Sequence, residues 1–271
     1  MKLLFIGDVA WEPGRKALEK HLPTLREKLQ PDAVIVNGEN SAHGAGINPK
    51  IADWMFDDLG VDCITGGDHS FDKREIIPYM KDRPNIIRPA NFPDMEGNGV
   101  YSFKTKTTGQ YITVINMMGR VFTGPMLDCP FRKLDSILAN IKLKNNSDTI
   151  VVDFHAEATS EKYCFGHYAD GRVSAVLGTH THVPTADHQI LPKGTAYQSD
   201  VGMTGTYTGS IGAALDVPMQ GFMKGRLLDK FEPAKGEGTV CGAVVDTDDK
   251  TGLAVSINPV RIGGNVLQEV F

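Results

Sequence analysis

Short apolar runs punctuate the chain at residues 2–7, 33–37, 62–65, 111–116, 149–154 and 173–178. They are nearly continuous rather than alternating, the pattern expected of strands covered on both faces, as in parallel sheets. Between the first two, Leu18, Leu22, Leu25 and Leu29 recur at helical spacing in a charged stretch that follows Pro13 and Gly14, which predicts an amphipathic helix over 15–29. Strand and helix alternate, so the fold class is α/β, read as one domain across 1–271. The style changes late in the chain. Residues 202–238 are rich in glycine with few periodic apolar positions, predicting a loop-rich excursion with one short helix. Residues 239–258 then read as two strands joined by a polar turn, a terminal β-hairpin.

Composition narrows the class. With 271 residues and 41% hydrophobic side chains the chain can bury a sizeable core. A formal charge of -5 argues against broad attraction to nucleic-acid backbones or anionic lipid, so no stable nucleic-acid complex is expected. The apolar run in MKLLFIGD is too short for a signal-peptide core, and no other stretch is long enough to span a bilayer; the expectation is a cytoplasmic protein without membrane contact. Cys63, Cys129, Cys164 and Cys241 are scattered without CxxC spacing and read as buried free thiols rather than a zinc knuckle or disulfide framework.

The chemistry collects where the apolar runs stop. Asp8 follows LLFIG, Glu39 and Asn40 follow AVIVNG, Asp68 and His69 follow CITGG, His155 follows TIVVDF, and His180 and His182 follow VSAVLG. Ligands of open α/β sheets gather beyond the carboxyl ends of strands, so these distant residues can meet at one edge. In GTHTHVPT, extended backbone would turn His180 and His182 to the same face, with the small Thr179 and Thr181 leaving room for a ligand. Asp8, Glu39, Asp68, Asn40 and three imidazoles exceed what one metal accepts but suit two ions sharing a bridging carboxylate. Such donors admit iron, zinc, manganese or nickel and disfavour a thiolate-selecting ion. Elsewhere, Arg88, Asn91 and Arg120 are candidates for phosphate contact, and Glu157, Thr159 and Ser160 for capping a helix after His155. His21, His43, His167 and His188 show no comparable pattern and stay outside the set.

The order GD, GEN, GDH, FHAEATSE and GTHTHVPTAD, with VNGENSAHG, RPANFP and LPKGTAYQSDVGMTG between and after, resembles the calcineurin-like metallophosphoesterases, and within them the bacterial YmdB-like branch. The likeness spans almost the whole chain. It implies a four-layer metallophosphoesterase fold, two central mixed β-sheets flanked by helices, with two metals at the sheet edge. It implies hydrolysis of phosphodiesters or phosphomonoesters, 2′,3′-cyclic nucleotides among them, by hydroxide generated on the metal pair. Carried over residue by residue, Asp8, Asn40 and His182 would serve one ion, Asp68, His155 and His180 the other, and Glu39 would bridge them. His69 would be the general acid. Family members also form homo-oligomers, to which the excursion after residue 202 could contribute.

One position departs from that pattern. The family's third motif reads GNH, whereas this chain carries Gly67, Asp68 and His69. Two divalent ions bring about four positive charges; Asp8, Glu39, Asp68 and a hydroxide would cancel them. A trivalent ion such as Fe(III) would restore attraction for an anionic ester, so iron paired with iron or manganese is the expected cofactor, with zinc or nickel as alternatives. The same extra carboxylate motivates a competing reading, a metal-containing nucleotide-binding regulatory protein with little turnover. A metal-dependent amidohydrolase on a closed barrel is disfavoured because its HxH pair follows the first strand, and a terminal hairpin fits such a barrel poorly.

Overall fold

The computed structural model describes residues 1–226 and 229–269. The first apolar run forms β1 (Lys2–Ile6), followed by α1 (Trp11–Leu29), β2 (Ala33–Asn37), α2 (Pro49–Asp53), a π-helical turn (Trp54–Asp58), β3 (Cys63–Thr65) and α3 (Ile76–Asp82). The second half contributes β4 (Val100–Lys104), β5 (Tyr111–Met118), α4 (Pro130–Leu138), β6 (Thr149–His155), α5 (Thr159–Ala169), β7 (Ala175–Thr179), β8 (Gln189–Ile190) and β9 (Ala196–Gln198). Helix α6 (Asp216–Lys224) is the short helix of the excursion, and β10 (Val240–Thr247) with β11 (Ala254–Ile262) is the hairpin.

These strands build two mixed sheets, ordered β11-β10-β1-β2-β3 and β4-β5-β6-β7-β9-β8. In the first, β1, β2 and β3 run parallel and the hairpin adds antiparallel to β1. In the second, β5, β6, β7 and β9 run parallel, with β4 and β8 antiparallel at the edges. Strand alternation explains the layering. Leu3 and Phe5 of β1 face inward with Ile35, packing against Val114, Val151 and Leu177 of the other sheet. Leu4 and Ile6 face outward onto Leu18, Leu22 and Leu25 of α1. On the far side, Ile150, Val152 and Phe154 of β6 pack against Leu134 of α4 and Phe165 of α5. Helices, sheet, sheet and helices make the four layers expected from the resemblance.

The differences in detail have local causes. Helix α1 begins at Trp11, four residues early, because Pro13 falls in its first turn, where the missing N–H costs nothing. Strand β11 runs on to Ile262 through Pro259, tolerated because β11 is a sheet edge. Cys63 and Cys241 are buried as expected, but Cys129 is half-buried and Cys164 exposed, since the latter lies on the solvent side of α5. Among the described residues no helix is long and apolar enough to cross a membrane.

Candidate active site

The carboxyl ends of β1, β2 and β3 in one sheet, and of β6 and β7 in the other, open on the same edge, and the polar residues that follow them converge there. Asp8, Glu39, Asn40, His155 and His182 are buried, while Asp68, His69 and His180 are partly exposed. Asp8 stitches the sheets together by accepting the His180 main-chain N–H at 3.2 Å. Glu39 accepts the His69 main-chain N–H at 2.6 Å.

Hydrogen bonds decide which side-chain atoms are free. The Thr179 hydroxyl donates to Asp153 at 2.7 Å, so its lone pair is left to accept from His155 Nδ1 at 2.9 Å. His155 Nε2 is therefore unprotonated and faces the site. His180 Nε2 lies 3.1 Å from the Glu157 carboxylate, while Nδ1 stands 3.0 Å from His155 Nε2 and 3.5 Å from Asp68 Oδ1. Asp68 Oδ1 itself lies 3.0 Å from His155 Nε2. A second pair is built the same way. His182 Nδ1 donates to the Ile211 carbonyl at 3.0 Å, and the Asn40 amide nitrogen donates to the Gly44 carbonyl at 3.1 Å. What remain are His182 Nε2 and Asn40 Oδ1, facing each other at 3.1 Å.

Acceptors facing acceptors call for a cation between them. Asp8 Oδ1 and Glu39 Oε2 add two buried oxygens that have no partner among the described residues. The electrostatics agree. Burial and the neighbouring charge of Asp68 push the Glu39 carboxyl well above the usual range. Burial would raise Asp68 as well, but the adjoining His155 and His180 rings outweigh it and hold its carboxyl far below that range. His180 is raised because Asp68 outweighs the burial that would lower it. Asp68, His155 and His180 can converge on a single ion, as can Glu39, Asp68 and His69. The donor set thus fits hard or borderline cations held by oxygen and imidazole.

Several expectations are corrected. His180 and His182 are not extended: β7 ends at Thr179, and they adopt φ of 97° and 65°, left-handed conformations that cost about 1–3 kcal/mol each and recur at functional sites. Their rings consequently diverge, one to His155 and Asp68, the other to Asn40. Thr179 and Thr181 do not make room for a ligand; Thr181 donates its N–H and hydroxyl to Asp200 at 2.9 and 2.7 Å. No side chain caps α5, whose N-cap is Ala158; the Glu157 carboxylate lies beside His180 Nε2 instead.

Arg88 and Asn91 are not brought to the site. The buried Arg88 guanidinium donates to the carbonyls of Pro89, Met95 and Glu96, and the Asn91 amide clamps the main chain at Met118 and Asp128. Arg120 lies exposed, its main-chain N–H on Glu161, and does not line the cavity. His43 faces a separate charged cleft beside α1.

Sequence reading missed the support beneath the site. Asp153 gathers the Asn37 amide at 2.8 Å, the Thr65 hydroxyl at 2.5 Å and the Thr179 hydroxyl, joining the ends of β2, β3 and β7. Burial pushes its carboxyl up to about 7 against the pull of these donors. It also missed an apolar wall, formed by Trp11, Ile211, Phe222 and Phe231, in the same cavity as the polar cluster. Asp153 lay inside an apolar run, and the aromatics lay in unpatterned segments, so neither carried a signal.

Known proteins share this sequence and fold. The chain is 47% identical to the 2′,3′-cyclic-nucleotide 2′-phosphodiesterase of Bacillus subtilis over 97% of each protein. Among solved structures, a hypothetical protein from Thermus thermophilus aligns with a TM-score of 0.89 at 41% identity, covering 98% of this chain and 100% of that one. A novel phosphatase from Mycoplasma pneumoniae aligns with a TM-score of 0.89 at 33% identity, covering 97% of this chain and 93% of that one. The family described as YmdB-like protein matches residues 4–260, and with the relatives above this places the chain in the YmdB-like family.

Proposed function

We propose that this hydrolase acts on phosphodiesters, 2′,3′-cyclic nucleotides in particular, through two metal ions, with His69 as general acid. The observation that carries the reading is the set of acceptors gathered at five strand ends, Asp68 Oδ1 against His155 Nε2 and Asn40 Oδ1 against His182 Nε2, with the unpartnered oxygens of Asp8 and Glu39 among them. The named activity of the Bacillus subtilis relative supports the substrate class. Asp8, Asn40 and His182 would hold one ion, Asp68, His155 and His180 the other, and Glu39 both. When bound, such ions supply Lewis acidity towards phosphoryl oxygens and lower the pKa of a water between them.

The chain's own residues then orient and protonate. His69 Nδ1 donates to Asp72 at 2.8 Å, and its main-chain N–H is tied to Glu39, which leaves Nε2 as the proton carrier, 3.7 Å from Asp68 Oδ2. Asp72, rather than the adjacent Asp68, is thus the group that sets the ring's tautomer. As the ester bond breaks, the imidazolium form of His69 can pass its Nε2 proton to the departing alkoxide and stay behind as the Nδ1–H tautomer on Asp72, a role worth about 10²–10⁴ in rate. His155 is held by Thr179, so it need not rotate on binding, and the Glu157 carboxylate stands beside His180 Nε2.

The test is hydrolysis of 2′,3′-cyclic AMP and bis-p-nitrophenyl phosphate by metal-loaded and chelator-stripped protein. Turnover should require metal, and His69→Ala should lower kcat about 100-fold or more on the nucleotide, less on the p-nitrophenyl ester, with two metals per chain retained. Metal-bound protein without turnover would instead support the nucleotide-binding regulatory reading. The imidazole and carboxylate donors support iron with iron or manganese, or else zinc or nickel, and the negative charge of Asp68 favours a trivalent iron. Asp68→Asn should move the preference towards two divalent ions; metal analysis with EPR finding only divalent ions in fully active wild type would rule out the trivalent assignment.

A further inference from the structure

The cavity over the polar cluster has a volume of about 320 Å³ and is two-sided. Its lining is of two kinds, a polar floor of Glu39, Asn40, Asp68 and the histidines and an apolar wall of Trp11, Ile211, Ala213, Pro218, Phe222 and Phe231. A phosphate engages only the floor.

Trp11 is a built part of that wall. Its φ of 62° is an outlier for a bulky residue, held by the bond from its main-chain N–H to the Asn40 carbonyl at 2.9 Å. Gly44, itself at φ 84°, makes room for the indole, since a Cβ there would stand 2.2 Å from Trp11 Cζ2. The ring is thereby fixed to the loop that carries Asn40. The far wall is tied to the floor as well, because the Ile211 carbonyl receives His182 Nδ1. Phe222, at the cavity rim on α6, is 87% exposed, a large aromatic surface left without a partner in the described residues.

We infer that Trp11 and Phe222 form a stacking platform for the nucleobase of the substrate, which makes the enzyme select nucleotides over base-free cyclic phosphates. The inference rests on the phosphodiesterase reading above and adds the residues that recognise the base. Aromatic faces stack on any base, so the platform discriminates nucleotide from sugar phosphate rather than one base from another. Because the base takes no part in bond breaking, stacking stabilises ground and transition states alike and acts through KM.

The decisive quantity is the ratio of kcat/KM for adenosine 2′,3′-cyclic phosphate to that for 1-O-methylribose 2′,3′-cyclic phosphate, measured on metal-loaded protein. Phe222→Ala should lower this ratio about tenfold or more, through KM, and Phe222→Trp should preserve it. An unchanged ratio in Phe222→Ala, with or without a change in sedimentation that would mark α6 as a protein contact, overturns the proposal. A second arm needs no turnover. In zinc-loaded Trp54→Phe protein, where Trp11 is the remaining tryptophan, adenosine 3′-monophosphate should quench the indole and ribose 5-phosphate should not. Adding Phe222→Ala should raise the Kd about tenfold, and equal Kd values would sink the platform. Failure of the wild type to cleave either cyclic phosphate would sink the hydrolase reading alone, and the quenching arm would still decide the platform.

Discussion

One hydroxyl decides which nitrogen of His155 is free to bind a cation. Thr179 donates to Asp153 and so accepts from His155 Nδ1, leaving Nε2 for the site. Thr179→Val keeps the shape and removes both bonds. Metal affinity should fall about 10–100-fold, and the loss of a donor to buried Asp153 should cost about 1–3 kcal/mol; Thr179→Ser should restore both. Metal titration and urea unfolding read the two effects separately, and unchanged affinity in the valine variant would remove Thr179 from the site's support. The sequence made His155 visible but not this relay, because Thr179 lies 24 residues away and its partners Asp153 and Asn37 sit inside apolar runs.

At the scale of elements, α5 is locked against the end of β7 by a buried ion pair. Lys162 Nζ donates to the Thr179 carbonyl at 2.7 Å and to Asp200 at 2.9 Å, and Asp200 also receives Thr181. This clamp holds His180 and His182 in their unfavourable backbone conformations. Lys162→Met leaves Asp200 charged and unpaired in the interior, which should destabilise the protein by about 3–5 kcal/mol and lower metal occupancy with it. Chemical denaturation and metal content on the folded fraction check both, and a loss below about 1 kcal/mol would show that the pair bears little on the loop. Six of the seven parallel strands among the described residues, all but β9, were legible within one or two residues because both faces are covered. Edge strand β4, with exposed alternate positions, and the two- and three-residue β8 and β9 were not, since their pairing partners rather than their own composition define them.

At the scale of the molecule, the site exists only where two sheets expose their carboxyl ends together. Asp8 and Glu39 come from one sheet and His155 and His180 from the other, so a cation between them ties the layers. Binding that favours the folded state stabilises it by about 2.7 kcal/mol at a free metal concentration 100 times Kd. Chelation should therefore lower Tm by roughly 5–10 °C in a chain of this size, and Asp8→Ala should abolish the response. Calorimetry with and without chelator reads this directly; identical melting curves for wild type would mean that no cation bridges the sheets. The apolar wall contributed by α6 and the start of α1 belongs to this scale too, since Trp11 and Phe222 are 211 residues apart and meet across one cavity.

The sequence by itself determined the α/β class and the roster of polar residues, because buried strands leave an apolar run and each donor stands just past the end of one. Tertiary structure decided everything that depends on partners remote along the chain: which nitrogen of His155 and His182 is free, that His180 and His182 are parted by left-handed backbone rather than carried on an extended strand, that Arg88 and Asn91 brace loops, and that aromatic rings line the same cavity as the polar cluster. Those outcomes follow from hydrogen bonds and packing between segments whose separation no local pattern encodes, and from left-handed backbone that only the surrounding contacts can hold.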